Sequence, residues 1–465
     1  MTDMSFLADA VEPSKVKLGE GERGRHANDW ATEGRVEANP DAVVYPTTTD
    51  DVSRVLAACD ERGVPVTPYA AATGLEGNAV PVRGGVSLDM TEMDSVIDVR
   101  PDDFQVDVEP GVYGSAVNEA VDSEGMFFPP LPSSGSISTI GGMVANDAGG
   151  MGTVRYGKVG DWIDELEVVL ADGSVVEFGS KAKKTSSGYR MRDLIVGSEG
   201  TLGVVTRATL RLKGIPEQRR GGRATFPSLD DAASAVFDAV RSEVDVAKIE
   251  LVDATAASMA NDYLGTDLPD APMVFVEFHA NHGVEREVEF ARSVFEAHNV
   301  ESFEVGEGDE ADELWELRRE LGVAIRSANP SLEPVHAGDI AVPLSEYPAT
   351  VRYIKEVSEE YGLPIPCFGH AGDGNIHYLV LVEKENDEAM TEGVDVYEEI
   401  VEYALDVGGT CTAEHGIGLG KRKFMEREHG EDGVAAMRAV KDALDPNGTL
   451  NPGKVFPDDG EDLLR

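Results

Sequence analysis

The chain has 465 residues, 41% of them hydrophobic, and its 40 basic and 87 acidic side chains give a formal net charge of −47. That length predicts about three domains. The charge repels nucleic acid and anionic membrane surfaces, so neither is expected as a partner. The acidic residues are spread along the whole chain, and only 14 of the basic residues are lysines. This pattern indicates a solvated surface adapted to high salt, where ions screen the repulsion.

Cysteine usage and hydropathy predict the compartment. Cys59, Cys367 and Cys411 form no CxxC pair, which argues against a disulfide framework or an iron–sulfur cluster and fits a reducing cytoplasm. No apolar stretch approaches the length of a membrane span, and the N-terminus lacks the basic start and apolar core of a signal peptide. We therefore predict a cytoplasmic protein without a membrane span.

The first half of the chain predicts a polar lead-in at residues 1–37, with one or two helices, followed by a domain at 38–217. From Val43 the pattern reads strand, helix, strand, which is a βαβ unit. A glycine-rich segment at 129–160 comes next, followed by two strand pairs, one with a turn at Asp172-Gly173.

The pattern changes near residues 215–222, where a region of strands and long amphipathic helices begins. We predict a second domain at 218–444. The tail at 445–465 is rich in turn residues and predicts a return to the first domain.

The run GHAGDGNIH, which ends at His377, is the most informative motif. His370 and His377 flank a glycine turn, and Glu414 and His415 follow about forty residues later. Histidine and glutamate are good ligands for a divalent metal, and a metal beside a base makes a small reaction centre. A lone histidine is more often a surface or core residue. Three of the nine histidines fall in these two segments, which favours a functional site.

Three glycine-rich segments predict phosphate cradles. They lie at 71–77, after the predicted strand VPVTPY, at 139–150, and at 197–205, which leads into a strand. Glycines let backbone N–H groups approach an anion, although tight turns in a β-rich domain are the alternative. The GxGxxG match at Gly19–Gly24 is rejected as a dinucleotide site, because no predicted strand precedes it and two glutamates would face the pyrophosphate.

Seven segments together resemble a known family. In chain order they are TGLEG, IGGMVANDAGG, VRYGKVGDWI, GSEGTLGVVTRATLRL, GHAGDGNIH, AEHGIGLGK and NPGKVF. Over nearly the whole chain they resemble the FAD-linked D-2-hydroxyacid dehydrogenases, which include D-lactate dehydrogenase, the flavin subunit of glycolate oxidase and D-2-hydroxyglutarate dehydrogenase. The resemblance implies an α+β fold, with a two-part FAD-binding domain of the vanillyl-alcohol-oxidase type and an α+β cap.

The resemblance implies FAD, bound without a covalent link because the first loop, YAAATGLEGN, contains no histidine. It also implies a divalent metal (Zn, Mn or Fe) held by His370, His377 and Glu414, with His415 as the base and Arg318 pairing with the substrate carboxylate. The implied FAD contacts come from the glycine segments and the tail: Ala71, Ala72, Thr73, Gly74, Leu75, Pro132, Thr139, Gly141, Gly142, Ala145, Asn146, Gly149, Gly150, Gly200, Val204, Val205 and Asn451.

Three departures from the hydroxyglutarate dehydrogenases point to a smaller substrate. Ala337, Leu379 and Gly322 stand where those enzymes have lysine, asparagine and threonine. The polar partners of a second carboxylate are therefore missing, so D-lactate or glycolate is expected. D-2-hydroxyglutarate, and a role as the flavin subunit of a multi-subunit glycolate oxidase, stay open.

The electron acceptor is not specified by these motifs. A quinone, a cytochrome, an electron-transfer flavoprotein and an iron–sulfur subunit are the alternatives, and a homodimer is one alternative for the assembly. Two functions of other classes also remain. A metal-dependent hydrolase would use His370, His377 and Glu414 to activate water, but it leaves the glycine loops unexplained. A flavin-bearing scaffold subunit would bind FAD without turning over a hydroxy acid by itself.

Overall fold

The computed structural model describes residues 3–30, 32, 35–36 and 38–457. The chain divides into two compact units. The first unit consists of Met1–Gly149, Lys158–Ile215 and Glu414–Arg465. The second unit consists of Gly150–Gly157 and Pro216–Ala413.

Several helices begin at a side chain that caps the first turn. The side chains of Thr48, Ser228 and Asp253 each accept a hydrogen bond from the backbone N–H three residues later, which satisfies a donor that the helix itself leaves unpaired. None of the helices in the described part of the chain has the length and hydropathy of a membrane-spanning segment. Within the described residues the α-helices are α1 (Leu7–Ala10), α2 (Glu20–Arg25), α3 (Thr49–Asp60), α4 (Gly114–Val121), α5 (Ile140–Asn146), α6 (Thr153–Tyr156), α7 (Met191–Ile195), α8 (Leu229–Arg241), α9 (Ala254–Leu264), α10 (Val284–Glu296), α11 (Asp309–Ala328), α12 (Tyr347–Tyr361), α13 (Asp387–Asp406) and α14 (Met425–Leu444).

The strands are short and rich in valine, as strand propensity favours. In the described residues they are β1 (Val16–Lys17), β2 (Ala42–Val44), β3 (Val66–Tyr69), β4 (Val86–Asp89), β5 (Val96–Arg100), β6 (Gln105–Val108), β7 (Met126–Phe127), β8 (Ile163–Val169), β9 (Val175–Gly179), β10 (Val204–Arg211), β11 (Lys213–Gly214), β12 (Gln218–Thr225), β13 (Val246–Val252), β14 (Met273–Ala280), β15 (Ser302–Gly306), β16 (Leu332–Ala341), β17 (Cys367–Gly369) and β18 (Asn375–Glu383).

The first unit is built on two main sheets. The first sheet has the strand order β1-β2-β4-β3, and its strands β2, β4 and β3 run parallel to one another. The predicted strand–helix–strand unit is confirmed as β2, α3 and β3, with β4 inserted between the two strands. The second sheet is antiparallel, with the order β5-β6-β10-β8-β9. The turn predicted at Asp172-Gly173 joins β8 to β9. Each sheet has its own hydrophobic cluster.

The C-terminal part of the chain returns to the first unit, and it does so earlier than the turn residues suggested. The return was predicted to start at residue 445, but the second unit already ends at Ala413. Helix α14 explains the difference. The Lys441 ammonium on this helix donates to the Thr201 carbonyl at 2.7 Å and to the Leu450 carbonyl at 2.8 Å, so α14 is tied to the first unit.

The second unit is one antiparallel sheet with helices, in the strand order β15-β12-β14-β13-β17-β18-β16. Trp315, Phe275 and Leu381 are among the side chains that fill its core. The short segment Gly150–Gly157, which includes α6, packs on β13, although it was not predicted to belong here. The α+β class predicted from the sequence is confirmed.

The acidic composition predicts that stability depends on salt. Acidic side chains outnumber basic ones by 87 to 40. A single basic side chain can therefore face two acidic ones, as Arg220 does with Glu285 and Glu307. Because unscreened repulsion opposes the compact state, we expect the melting temperature to rise steeply as KCl is raised from about 0.01 M to about 1 M. Scanning fluorimetry measures this, with sucrose at equal osmolality as the unscreened control. A melting temperature that does not change with KCl would contradict the prediction.

Candidate functional site

The first unit contains a cleft of about 810 Å³ beside the first glycine-rich loop. A volume of this size is typical of a cofactor site. Ala71, Ala72 and Thr73, three of the predicted FAD contacts, line it. The other lining residues are Gly21, Gly24, Arg25, Asn28, Asp29, Trp30, Tyr69, Tyr113, Ser136 and Ile137.

The first loop has a defined backbone shape. Ala72 has a φ of +50°, and a Cβ at Gly74 would lie 2.8 Å from Oδ1 of Asn78. The hydroxyl groups of Thr73 and Ser138 are 2.9 Å apart, which joins this loop to the segment that precedes the second glycine-rich stretch. Two segments that are distant in sequence therefore bound the cleft.

Aromatic and aliphatic side chains of this cleft were not recognised from the sequence. Trp30, Tyr113 and Ile137 line it and remain 51%, 41% and 47% exposed. Large apolar side chains left open around a cleft suit a flat ring such as adenine or isoalloxazine. A tryptophan in an otherwise polar lead-in is the one sequence signal that could have indicated Trp30.

The rejected GxGxxG segment forms helix α2, and Gly21 and Gly24 face the cleft. The expectation that no strand precedes this segment was wrong, because β1 does. Arg25 and Asp29 are the charged side chains of the lining. Burial, the largest influence, raises the pKa of Asp29 against the hydrogen bond from Thr32, so this carboxyl opposes an anionic ligand less than an exposed one would.

The second predicted cradle forms helix α5. The Thr139 hydroxyl accepts from the Gly142 N–H at 3.3 Å, and a Cβ at Gly141 would lie 2.6 Å from the Cβ of Pro110. Within the described residues, the predicted FAD contacts that do not line the 810 Å³ cleft are Gly74, Leu75, Pro132, Thr139, Gly141, Gly142, Ala145, Asn146, Gly149, Gly150, Gly200, Val204, Val205 and Asn451.

The third predicted cradle has a left-handed turn at Gly200, where φ is +69°. Val204 and Val205 follow at the start of β10 and are only 3% and 7% exposed. Each belongs to a hydrophobic cluster of the first unit. In this structure the side chains of both valines therefore pack in the hydrophobic core.

Asn451 joins separate segments of the first unit. Its amide donates to the carbonyls of Asn78 at 2.9 Å and Glu199 at 2.8 Å. The Lys454 ammonium donates to the Asn451 side-chain oxygen and to the Val80 carbonyl. Burial lowers the pKa of Lys454 to about 7. The C-terminal segment therefore supports the first loop through buried hydrogen bonds.

In the second unit, strand register brings Glu250 beside His370. Leu251 of β13 pairs with Gly369 of β17. Because the strands are antiparallel, Glu250, just before Leu251, lies beside His370, just after Gly369. The Nδ1 atom of His370 lies 2.7 Å from Oε1 of Glu250. Arg318 of α11 donates from Nη2 to Oε2 of the same carboxylate at 2.5 Å. All three side chains are buried.

Arg318 retains a donor for a further partner. Its Nε atom is buried and has no acceptor in the described part of the chain. The guanidinium carbon lies 5.0 Å from the ring centre of Phe368, a favourable cation–π distance. A buried guanidinium with an unused N–H suits an anionic ligand such as a carboxylate.

His377 lies close to His370 in the second unit. Their ring centres are 5.1 Å apart and their planes are nearly perpendicular. The Nδ1 atom of His377 lies 3.6 Å from Oδ1 of Asp339, longer than a hydrogen bond. Asp339 is fully buried and accepts from the Asn375 amide and the Ala413 N–H. The second unit therefore brings the two predicted ligand histidines together.

The turn between these histidines requires glycine. Gly374 has a φ of +82°, and a Cβ there would lie 2.2 Å from the Val342 carbonyl oxygen. Glycine reaches this left-handed conformation without strain. The turn allows the chain to run from His370 back to His377 on the neighbouring strand.

Glu414 and His415 belong to the first unit, of which Glu414 is the first residue after Ala413. The Glu414 carbonyl accepts from the side-chain amide of Asn146. The Nδ1 atom of His415 lies 3.9 Å from Oε1 of Glu76. The predicted ligands are therefore divided between the units, with two histidines in the second and Glu414 in the first.

The three positions that differ from hydroxyglutarate dehydrogenases lie in the second unit. Ala337 pairs with Leu379 across β16 and β18, and Leu379 is 5% exposed in the hydrophobic cluster. Gly322 is one helical turn after Arg318 on α11. Among the described residues outside the local turn of the helix, the atom nearest to a Cβ built at Gly322 is Cζ of Phe368, at 4.0 Å. None of these three residues has a polar side chain.

Comparison with known proteins agrees with this architecture. The family model for the C-terminal domain of FAD-linked oxidases matches residues 215–455, and that for an FAD-binding domain matches 40–179. The chain is 37% identical over 420 residues to "D-lactate dehydrogenase [cytochrome], mitochondrial" of Arabidopsis thaliana, covering 90% of this chain and 74% of that protein. It is 35% identical over 442 residues to "Glycolate oxidase subunit GlcD" of Bacillus subtilis, covering 94% and 93%.

Among solved structures, 4-ethylphenol oxidase from Gulosibacter chungangensis matches with a TM-score of 0.78 and 20% identity, covering 98% of this chain and 97% of that one. The fold and its matches define an FAD-dependent oxidoreductase with a two-part FAD-binding domain and an α+β cap, and the predicted fold is confirmed. The chain belongs to the FAD-linked oxidase family. A metal-dependent hydrolase does not account for the FAD-binding domain.

FAD should be released completely by acid, because no histidine lies in the first loop. His26 approaches that loop, with its ring 4.4 Å from the ring of Tyr69. Both of its nitrogens are engaged, however, by Asp89 and by the Glu22 carbonyl. After trichloroacetic acid precipitation, we expect all flavin absorbance in the supernatant, and proteolysis of the pellet should yield no flavin-bearing peptide. Yellow colour retained in the pellet would contradict non-covalent binding.

Proposed function

We propose that this chain oxidises a small D-2-hydroxy acid, D-lactate or glycolate, to the 2-oxo acid, with FAD as the hydride acceptor. The observation that carries the proposal is Arg318, which is 3% exposed and whose Nε–H has no acceptor in the described residues. Such a donor suits the carboxylate that every 2-hydroxy acid carries. The names of the relatives, a D-lactate dehydrogenase and a glycolate oxidase subunit, support this substrate class.

The proposal includes a divalent metal, Zn, Mn or Fe, with His370, His377 and Glu414 as its ligands. The donors present fit such an ion. A carboxylate can only accept a hydrogen bond. The contact between Glu250 and Nδ1 of His370 therefore places the imidazole proton on Nδ1 and leaves the lone pair on Nε2. Metal-bound histidines commonly have a carboxylate in this position, and two imidazoles with one carboxylate form a common catalytic ligand set.

In this reaction the side chains bind the substrate and move one proton. Arg318 binds the substrate carboxylate and orients the Cα–H bond. His415 takes the hydroxyl proton as that bond breaks. Bound FAD would supply the acceptor for the hydride that leaves Cα, and a metal held by His370, His377 and Glu414 would supply a Lewis acid for the hydroxyl.

Reoxidation needs an electron acceptor, and we propose a quinone, a cytochrome, an electron-transfer flavoprotein or an iron–sulfur subunit. We also propose a reducing compartment, the cytoplasm. Cys59, Cys367 and Cys411 are buried, and none of them forms a disulfide within the described residues. Burial raises the pKa of both Cys59 and Cys367 to about 12, so these thiols stay protonated and unreactive.

Short substrates should be preferred. Ala337, Leu379 and Gly322 supply no polar side chain for a second carboxylate, and an unpaired buried charge is costly. We expect kcat/KM for D-lactate or glycolate to exceed that for D-2-hydroxyglutarate by about two orders of magnitude. A panel of 2-hydroxy acids with a dye acceptor measures this preference.

The same panel tests the proposed function. Turnover with no member of the panel would contradict it, and a higher kcat/KM for D-2-hydroxyglutarate would contradict the preference for a short substrate. Gly322→Thr is a matched variant, because the space around a Cβ at that position is open. Its hydroxyl should raise the hydroxyglutarate-to-lactate ratio of kcat/KM without changing FAD content.

A further inference from the structure

Glu250 stands between the two groups on which the proposed function depends, the substrate arginine and a metal-ligand histidine. Its Oε2 accepts from Arg318 Nη2 at 2.5 Å, and its Oε1 lies 2.7 Å from His370 Nδ1. The side chain has no exposed area, so water does not compete for either oxygen. One carboxylate therefore holds two functional side chains.

We propose that Glu250 is a positioning residue that couples metal binding to binding of the substrate carboxylate. On one side it holds His370 in the tautomer whose Nε2 can ligate a metal. On the other side it holds one amino group of Arg318 and leaves the buried Nε–H for the substrate. This inference rests on the proposed function, since it needs both a metal and a carboxylate substrate.

The three partners are mounted on regular secondary structure. Glu250 is on β13, His370 directly follows β17, and Arg318 is on α11. Phe368, on β17, packs against the Arg318 guanidinium. Sites built on strands and helices hold their geometry more closely than sites on loops, so a displacement of Glu250 is transmitted to both partners.

Stability by itself does not explain this buried charge. The cost of removing a carboxylate and a guanidinium from water is about as large as their attraction, and an apolar replacement is often no less stable. Glu250 and Arg318 are 0% and 3% exposed. A specific geometric role accounts better for their presence.

Glu250→Gln separates the two contacts with little change in size. If its amide nitrogen faces His370, the ring can accept only in the tautomer that has its proton on Nε2, the ligating atom. If the nitrogen faces Arg318, two donors oppose each other and the guanidinium must move. Either orientation disturbs one partner.

Glu277→Gln is the matched control. Glu277 is 1% exposed on the neighbouring strand β14, and its Oε1 lies 2.5 Å from Nε2 of His279. It therefore offers the same pairing of a buried carboxylate with a histidine, but outside the proposed ligand set. We expect this variant to bind metal as the wild type does.

The measurement is Zn²⁺ affinity of the FAD-loaded enzyme after removal of metal with a chelator, by competition with a chromophoric indicator. For Glu250→Gln we expect affinity about 10–100-fold weaker and a KM for D-lactate about tenfold higher, with FAD retained. Glu250→Asp keeps the charge but is one methylene shorter, so it cannot reach both partners. The Glu250→Asp variant should also weaken Zn²⁺ binding by about tenfold. If Glu250→Gln does not fold, the affinity of Glu250→Asp tests the inference.

Two results would overturn the inference. If the wild type oxidises D-lactate and the folded Glu250 variants bind Zn²⁺ with unchanged affinity, the coupling role is wrong while the proposed function stands. If the wild type neither binds Zn²⁺ nor oxidises any 2-hydroxy acid, both the inference and the proposed function are wrong.

Discussion

Replacing His415 by asparagine should lower kcat for D-lactate by about 10²–10⁴-fold, the usual contribution of a general base, while FAD and metal remain bound. Asparagine is similar in size and keeps hydrogen-bonding groups, but it cannot accept the hydroxyl proton. In the proposed roles Glu414 ligates the metal and His415 does not. Steady-state kinetics, flavin absorbance and metal analysis of the same preparation measure the three quantities.

His429→Asn is the control for this variant. His429 is also a histidine of the first unit, on α14, and it lies 3.6 Å from a Glu428 oxygen at the surface. It should have wild-type kinetics. Near-normal turnover of His415→Asn would place the base elsewhere, and metal loss from His415→Asn would make His415 a ligand.

Replacing His370 by alanine should remove the metal and leave FAD in place. The variant loses the imidazole Nε2, and it also removes the His370 contact from the Glu250 carboxylate, which keeps its hydrogen bond from Arg318. Loss of a Lewis acid costs several kcal/mol of transition-state stabilisation, which corresponds to a decrease of about 10²-fold or more in kcat/KM. Metal content by atomic emission and flavin absorbance are measured together.

His279→Ala is the matched control for the loss of a buried histidine. His279 lies in the same sheet, 8% exposed, with Glu277 and the Tyr156 hydroxyl as its partners. Its removal should lower the melting temperature without lowering metal content. Full metal occupancy in His370→Ala would remove this histidine from the ligand set, and His377→Ala should behave like His370→Ala.

Local patterns predicted the parts of the fold that depend on neighbours in sequence. The strand–helix–strand unit after Val43 and the hairpin at Asp172-Gly173 follow from alternation and turn chemistry, and both are present. The early return of the chain at Glu414 was not predictable from turn residues, because it depends on long-range hydrogen bonds such as that from Lys441 to Thr201.

The candidate site shows the same division. The closeness of His370 to His377 was predictable because both belong to one contiguous motif. Glu250 was not, since it is 68 residues from Arg318 and 120 from His370 in sequence. Only the register of β13 against β17 brings it into place, and single-sequence patterns do not specify which strands pair. Trp30 was missed for a related reason, because the cleft it lines is formed by segments that meet only in the folded unit.

The most direct test of the central claim is anaerobic mixing of the purified enzyme with D-lactate, followed by absorbance and product analysis. The flavin should lose its visible absorption, and pyruvate should form in an amount equal to the flavin reduced. Glycolate should act in the same way and yield glyoxylate. The account is contradicted if the flavin stays oxidised with both acids while dithionite reduces it.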